Sequence, residues 1–220
     1  MNDDKNKIAK VLDKDIREPL FCFLEEKYGK IRVLEEKRTG RARADVVMVT
    51  DSIIYGIEIK SDADTYTRLK RQVENYNLYY DRNYVVVGTS HAMHIEEHVP
   101  EWWGIITVEN VDNELDFYIL REPEENPLID VHKKLTILWR PEIAHIQQLH
   151  RLYAYKNKSK EFVRDYIIES IPSEILAKEV TDELFERDYN KIFEQINEYR
   201  KNNGLKPRRR LRRKKKKYKG

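Results

Sequence analysis

Two short β-branched runs, Val46 to Thr50 and Ile53 to Ile59, are separated only by Asp51-Ser52. That spacing predicts a hairpin and constrains the fold more than any other feature of the chain. With Asp51 and Ser52 as the turn, Thr50 lies opposite Ile53 and paired positions sum to 103. Asp45 then faces Glu58. Opposed side chains of an antiparallel pair share one face, with Cβ atoms about 5 Å apart. Lys60, two residues beyond Glu58, points the same way. A one-residue slip would put the two carboxylates on opposite faces. The apolar pattern opposes that slip, because Ile57 and Ile59 fall with Val46 and Met48 on the other side. Val47, Val49 and Tyr55 are read as sharing the charged side, which leaves both faces apolar enough for a sheet interior. Carboxylates placed there need a cation or hydrogen bonds to offset the cost of burial. Two readings stand at this point. The trio holds a hard divalent cation with a positive charge beside it, or Glu58 and Lys60 form an ordinary ion pair on a half-solvated face.

The next segment, Thr65 to Tyr80, reads as a helix with Asp64 or Thr65 as its cap. Leu69, Val73, Tyr76 and Tyr80 recur at helical spacing. Arg68, Gln72 and Tyr76 fall four apart and line one stripe. Tyr84 to Thr89 returns as a strand, so the segment is a βαβ crossover with its helix on one face of the sheet. If that face carries Asp45 and Glu58, Gln72 and Tyr76 look toward the carboxylates.

An Asp, a hairpin turn, Glu58-Ile59-Lys60 and a helix carrying Gln72-Val73-Glu74-Asn75-Tyr76 together resemble the PD-(D/E)XK nuclease superfamily. The Gln-x-x-x-Tyr element resembles its RecB-like branch. The resemblance covers Asp15 to Val108. Ala44 stands where the motif has a proline. The resemblance implies an α/β, restriction-endonuclease-like core, a central mixed β-sheet flanked by helices, followed here by an α-helical C-terminal region. It also implies a nuclease in which Asp45, Glu58 and the Ile59 backbone carbonyl hold Mg²⁺ or Mn²⁺. Lys60 would orient or deprotonate the attacking water or stabilise the pentavalent phosphorus. Gln72 and Tyr76 would hold the site or contact the nucleic-acid backbone. Superfamily members often add an acid from a helix before the hairpin. That helix is expected between Asp15 and Tyr28, with Pro19 in its first turn. Glu18, Glu25 and Glu26 are candidates, with Glu35 and Glu36 competing from the start of the sheet. Two alternatives remain: a non-catalytic nucleic-acid-binding protein that keeps the fold, and an RNA-directed nuclease.

Charge separates the chain into a body and a tail. Lys206 to Gly220 carries 11 Lys or Arg and no acid, leaving 31 basic against 39 acidic residues, a charge of −8, in residues 1–205. Such a tail cannot fold alone. It suits sequence-independent, salt-dependent attraction to phosphates, through Arg208, Arg209, Arg210, Arg212, Arg213, Lys214, Lys215, Lys216 and Lys217, with Arg68 as a further contact. A solvated end or an address signal is the alternative. The expected division is a nuclease-like domain over 1–122, a helical region over 123–203 and the tail over 204–220. The expected partner is nucleic acid, taken as DNA, with a homodimer left open.

Several features point to an intracellular protein. The single cysteine, Cys22, admits no internal disulfide, and its apolar neighbours predict a core position. The first ten residues lack the apolar stretch of a signal peptide. No run nears the roughly 20 apolar residues that span a membrane. A soluble protein in the reducing cytoplasm is expected. His91, His94 and His98 recur as if on one helical face, read as a surface helix or, less simply, a transition-metal site. Trp102 to Val108 and Leu115 to Leu120 read as strands, with Trp102 and Trp103 walling the sheet. Pro123 to Pro127 marks a boundary. Beyond it Ile129 to Trp139, Pro141 to Tyr155, Lys160 to Glu169 and Ser173 to about Arg200 read as helices, with Ser173 as a cap.

Overall fold

The computed structural model describes residues 12–39, 42–62, 64–112, 114–155, 157–202 and 204–207. Glu36 lies on a strand, but its side chain falls outside the described set, as do the basic residues from Arg208 onward. In chain order the elements are α1 (Asp13–Tyr28), β1 (Arg32–Thr39), β2 (Ala42–Val49), β3 (Ile54–Lys60), a 3-10 turn (Tyr66–Arg68), α2 (Leu69–Tyr76), β4 (Arg82–Gly88), α3 (Thr89–Ala92), β5 (Gly104–Val111) and β6 (Glu114–Arg121). Five helices follow: α4 (Val131–Leu135), α5 (Arg140–Leu149), α6 (Lys160–Ser170), α7 (Ser173–Phe185) and α8 (Tyr189–Asn202).

The six strands form one mixed sheet in the order β1-β2-β3-β4-β5-β6. β3, β4 and β5 run parallel, while β1 and β2 at one end and β6 at the other are antiparallel to their neighbours. The β2–β3 register pairs Val46 with Ile57 and Val49 with Ile54. That is the register set by the two-residue turn, which the Thr50 amide closes by donating to the Ile53 carbonyl at 3.0 Å. All seven residues of β3 are buried, as expected for a strand covered on both sides.

Two helical layers cover the sheet. On one face Ile16, Leu20 and Leu24 of α1 pack on Val46, Met48, Tyr55, Ile57, Ile59, Val86 and Ile106. On the other, Leu69, Val73 and Tyr76 of α2, with Ile146, Ile167, Leu176 and Leu184 of the later helices, pack on Val47, Val49, Val85 and Val87. Tyr55 therefore belongs with Ile57 and not with the charged side. Strand alternation requires this, since Glu58 and Lys60 have the opposite parity.

Several local expectations need correction. Helix α1 begins at Asp13, so Pro19 sits inside it and not in its first turn. Cys22 is exposed, because its position on α1 turns away from the stripe of Leu20 and Leu24. The helix expected from Thr65 is a 3-10 turn followed by only eight α-helical residues. Asp64 does not cap it; its Oδ2 accepts the Ser61 amide at 2.9 Å and the Ser61 hydroxyl at 2.7 Å. Ser173 is the first residue of α7, behind Pro172, and not its cap. The last expected helix breaks between Phe185 and Tyr189 into α7 and α8.

The C-terminal helices share the core of the sheet. Asn126, inside the proline-bounded segment, is buried and donates to the carbonyls of Asn77 and Tyr80 at 2.8 and 2.7 Å. Lys134 reaches Asp81 at 2.6 Å. Arg187 is buried with Glu142 in a two-pronged pair at 2.6 Å and lies over the Trp139 ring at 5.0 Å. Such a planar fork on a carboxylate is the geometry that makes a buried charge tolerable.

Gly56 lets α2 approach the sheet. A Cβ there would collide with the Tyr80 ring and stand 2.6 Å from Tyr76 Cδ1. Gly56→Ala is expected to cost about 1–3 kcal/mol through overpacking, read as a lowered midpoint in urea unfolding. An unchanged midpoint would mean that α2 is free to move off the strand.

Candidate active site at the β2–β3 hairpin and helix α2

Asp45 lies near the middle of β2, and Glu58 and Lys60 lie near the end of β3. Glu58 is wholly buried and Lys60 is 4 % exposed. Two charges this deep need each other, and the Lys60 ammonium donates to Glu58 Oε1 at 2.6 Å. Helix α2 completes the set. Gln72 accepts from Lys60 at 3.1 Å through Oε1 and donates to Glu58 Oε1 through Nε2. The Tyr76 hydroxyl donates to Glu58 Oε2 at 2.7 Å and accepts the Asp45 amide at 3.2 Å. Spacing four apart places Gln72 and Tyr76 on one stripe of α2, and the crossover lays that stripe over the hairpin. Arg68, which continues the stripe, is exposed.

Asp45 bridges this set to a second one. Its Oδ2 accepts the Ile59 amide at 3.1 Å, beyond the last β2–β3 ladder pair. Arg17 of α1 donates to the Asp45 carbonyl at 3.1 Å and lies 3.8 Å from Asp45 Oδ1. The same guanidinium pairs with Asp13 at 3.0 Å and Glu35 at 3.5 Å. Sequence reasoning missed Asp13 and Arg17. Their four-residue spacing was the available signal, but a helix taken to start at Asp15 leaves Asp13 outside it. Of the proposed extra acids, Glu18, Glu25 and Glu26 are exposed on α1, and Glu35 meets the cluster through Arg17.

Burial and the Glu58 charge push the Asp45 carboxyl up to about 7, against the lowering effect of the Ile59 amide. Burial, together with Glu58 and Asp45, keeps the Tyr76 phenol protonated far beyond its usual range, so it serves as a donor. The four carboxyls Asp13, Glu35, Asp45 and Glu58 face the two cations Arg17 and Lys60, an excess of two negative charges among the described side chains here once Asp45 is ionised. Asp13 Oδ1 is buried and has no hydrogen-bond partner among the described residues.

The surplus at Asp45 and Glu58 fits a divalent cation, and an all-oxygen donor set suits Mg²⁺ or Mn²⁺ and not Zn²⁺. Asp45, Glu58 and the Ile59 carbonyl are the groups that would hold it. Among the described residues, however, no three His, Cys, Asp or Glu side chains converge on one point where a metal would sit, so such an ion would keep several waters. The three histidines do not converge either. α3 ends at Ala92, His94 is exposed, and His91 and His98 instead pack against the Tyr66 ring at 4.9 and 4.2 Å. Trp103 is core, with its indole N–H on Asn77 at 2.8 Å, and Trp102 packs partly buried against it.

A family model described as bacteriophage P4 protein cII matches residues 33–208. That span runs from β1 through α8 and includes Asp45, Glu58, Lys60, Gln72 and Tyr76, while Asp13 and Arg17 precede it. No curated protein and no solved structure matches the chain.

The Asp45 shift has a measurable consequence. The folded chain holds this proton more tightly than the unfolded one, whose carboxyl titrates near 3.8. The associated stability is present below that value and is lost as pH rises through about 7. In metal-free buffer, wild-type stability should therefore fall relative to Asp45→Asn across that interval, by as much as ~4 kcal/mol. Parallel stability curves for the two proteins would refute the shift.

Proposed function

The chain belongs to the bacteriophage P4 protein cII family, and from the grouping under α2 we propose that it is a metal-dependent nuclease that hydrolyses phosphodiester bonds, with DNA as the expected substrate. The observation that carries this reading is the convergence of Asp45 with the buried Glu58–Lys60 pair. Charge left over in that cluster calls for a cation. The resemblance of the hairpin and the Gln72-x-x-x-Tyr76 helix to the PD-(D/E)XK superfamily supports it.

Bound between the carboxylates, Mg²⁺ or Mn²⁺ would supply a Lewis acid that activates water and offsets charge at the phosphate. The chain's own groups do the positioning. Tyr76 fixes Glu58 by holding Oε2, and Gln72 fixes Lys60 Nζ at 3.1 Å. Lys60 would then offer a preorganised ammonium to a phosphate oxygen gaining negative charge. The Ile59 amide holds Asp45 Oδ2. Arg68, exposed one turn before Gln72, would meet the nucleic-acid backbone.

One observation favours a second reading. Both Glu58 oxygens are already engaged by Lys60, Gln72 and Tyr76, which is what a structural ion pair in a non-catalytic nucleic-acid-binding protein would need. The two readings separate on one panel: wild type, Asp45→Ala and Lys60→Ala on plasmid, linear duplex, single-stranded DNA and RNA, with Mg²⁺, Mn²⁺ or EDTA. The nuclease reading expects cleavage that EDTA stops and that each substitution lowers by at least about a hundredfold. Wild-type binding without cleavage under every metal favours the scaffold, and cleavage confined to RNA reassigns the substrate.

Removing Lys206 to Gly220 should weaken nucleic-acid binding and flatten its dependence on salt, by about 0.9 in log–log slope for each phosphate that the tail had neutralised. The same slope in the truncated chain would remove the tail from the interface.

A further inference from the structure

The loop joining α5 to α6 runs against the charge of the body. Residues 1–205 carry −8, yet His150 to Lys160 holds four Lys or Arg and no acid. Arg151, Lys158 and Lys160 are exposed. Among them Tyr153 is 68 % exposed. Its ring meets Tyr155 edge-on at 4.8 Å, and Tyr155 meets Phe162 at 5.0 Å and Tyr166 at 5.2 Å, both nearly perpendicular. The exposed ring is thus backed by Tyr155, which Phe162 and Tyr166 hold in turn.

The backbone beneath it is fixed as well. The Tyr153 amide donates to the Tyr166 hydroxyl at 3.4 Å, and its carbonyl accepts from the buried Gln147 at 3.0 Å. Arg151 sits at φ 52°, a left-handed conformation that a non-glycine residue holds only where its surroundings enforce it. Lys158 lies over the Phe162 ring at 4.9 Å. Pinning the loop to α6 needs only Tyr155, Phe162 and Tyr166. It does not explain the Tyr153 ring left in water or the cations that flank it in the sequence. Glu161 is the exposed acid nearest in sequence, while Asp165 is taken by His132 at 3.0 Å.

We propose that this loop is a binding platform for single-stranded nucleic acid, in which a nucleobase stacks on Tyr153 and Arg151, Lys158 and Lys160 meet the neighbouring phosphates. A preorganised ring accepts the π-face of any base, and such stacking is sequence-tolerant. A duplex hides those faces within its own stack, so the platform selects unpaired strands. The proposal concerns how a strand is held and stands whether or not the Asp45–Glu58–Lys60 site cleaves. The loop lies in the helical layer packed on the α2 face of the sheet.

The test is binding by the full chain in EDTA, where cleavage does not intrude. Fluorescence anisotropy is measured with labelled oligothymidylate, oligouridylate and a duplex of equal length. Tyr153→Ala should weaken binding to at least one of the single strands roughly tenfold and leave the duplex unchanged, while Tyr153→Phe keeps wild-type affinity. Tyr153→Trp should add an indole emission that the bound single strand quenches. If Tyr153→Ala melts early, Lys158→Glu with Lys160→Glu, both exposed, carries the test and should lower single-strand affinity. Wild-type single-strand affinity in Tyr153→Ala or in the double lysine variant, an equal loss on duplex and single strands, or an unquenched indole would overturn the proposal.

Discussion

Glu58 and Lys60 are withdrawn from water together, and the surrounding fold is arranged around that cost. Moving each ion inside costs on the order of several kcal/mol, repaid only when the partner and the remaining hydrogen bonds are well placed. The partner lies at 2.6 Å, and the remaining bonds come from α2. That requires a helix within side-chain reach of the strand, which Gly56 permits by having no Cβ to meet Tyr76 and Tyr80. It also requires a fixed crossover from β3 to β4. Asn126 supports that crossover by holding the carbonyls of Asn77 and Tyr80 at the end of α2.

The pair accounts for its own charge and leaves Asp45 outside the balance. Arg17 is divided among Asp13, Glu35 and Asp45, so among the described residues a carboxylate excess persists at the junction of α1, β2 and β3. A proton on Asp45 or a cation beside it relieves the excess, and the two compete. The raised Asp45 carboxyl is the sign of an unmet demand for positive charge among the described residues. Perturbed carboxyls of this kind are common at functional sites.

Much of this was legible in the sequence, for a definite reason. A two-residue turn between two apolar runs leaves one register, and one register fixes which side chains face each other. The four-residue spacing of Gln72 and Tyr76 then needs only a crossover to bring them over the hairpin. What was not legible depended on boundaries and packing. Reading Pro19 as a first-turn residue moved the start of α1 past Asp13 and hid the acid that Arg17 shares with Asp45. Apolar neighbours in sequence suggested a buried Cys22, although adjacent helical residues point in different directions. The three histidines looked periodic until the helix ended at Ala92. Nothing local marked that the helices after Pro127 would join the core of the sheet, since the pairing of Arg187 with Glu142 spans 45 residues.

The central claim is that Asp45 and Glu58 share a divalent cation. Anomalous diffraction from crystals of the full chain soaked in Mn²⁺ tests it most directly. A peak is expected between the two carboxylates, with Asp45 Oδ1 drawn away from Arg17. A saturated crystal with no peak there, and with Glu58 still bound on both oxygens by Lys60, Gln72 and Tyr76, would contradict it.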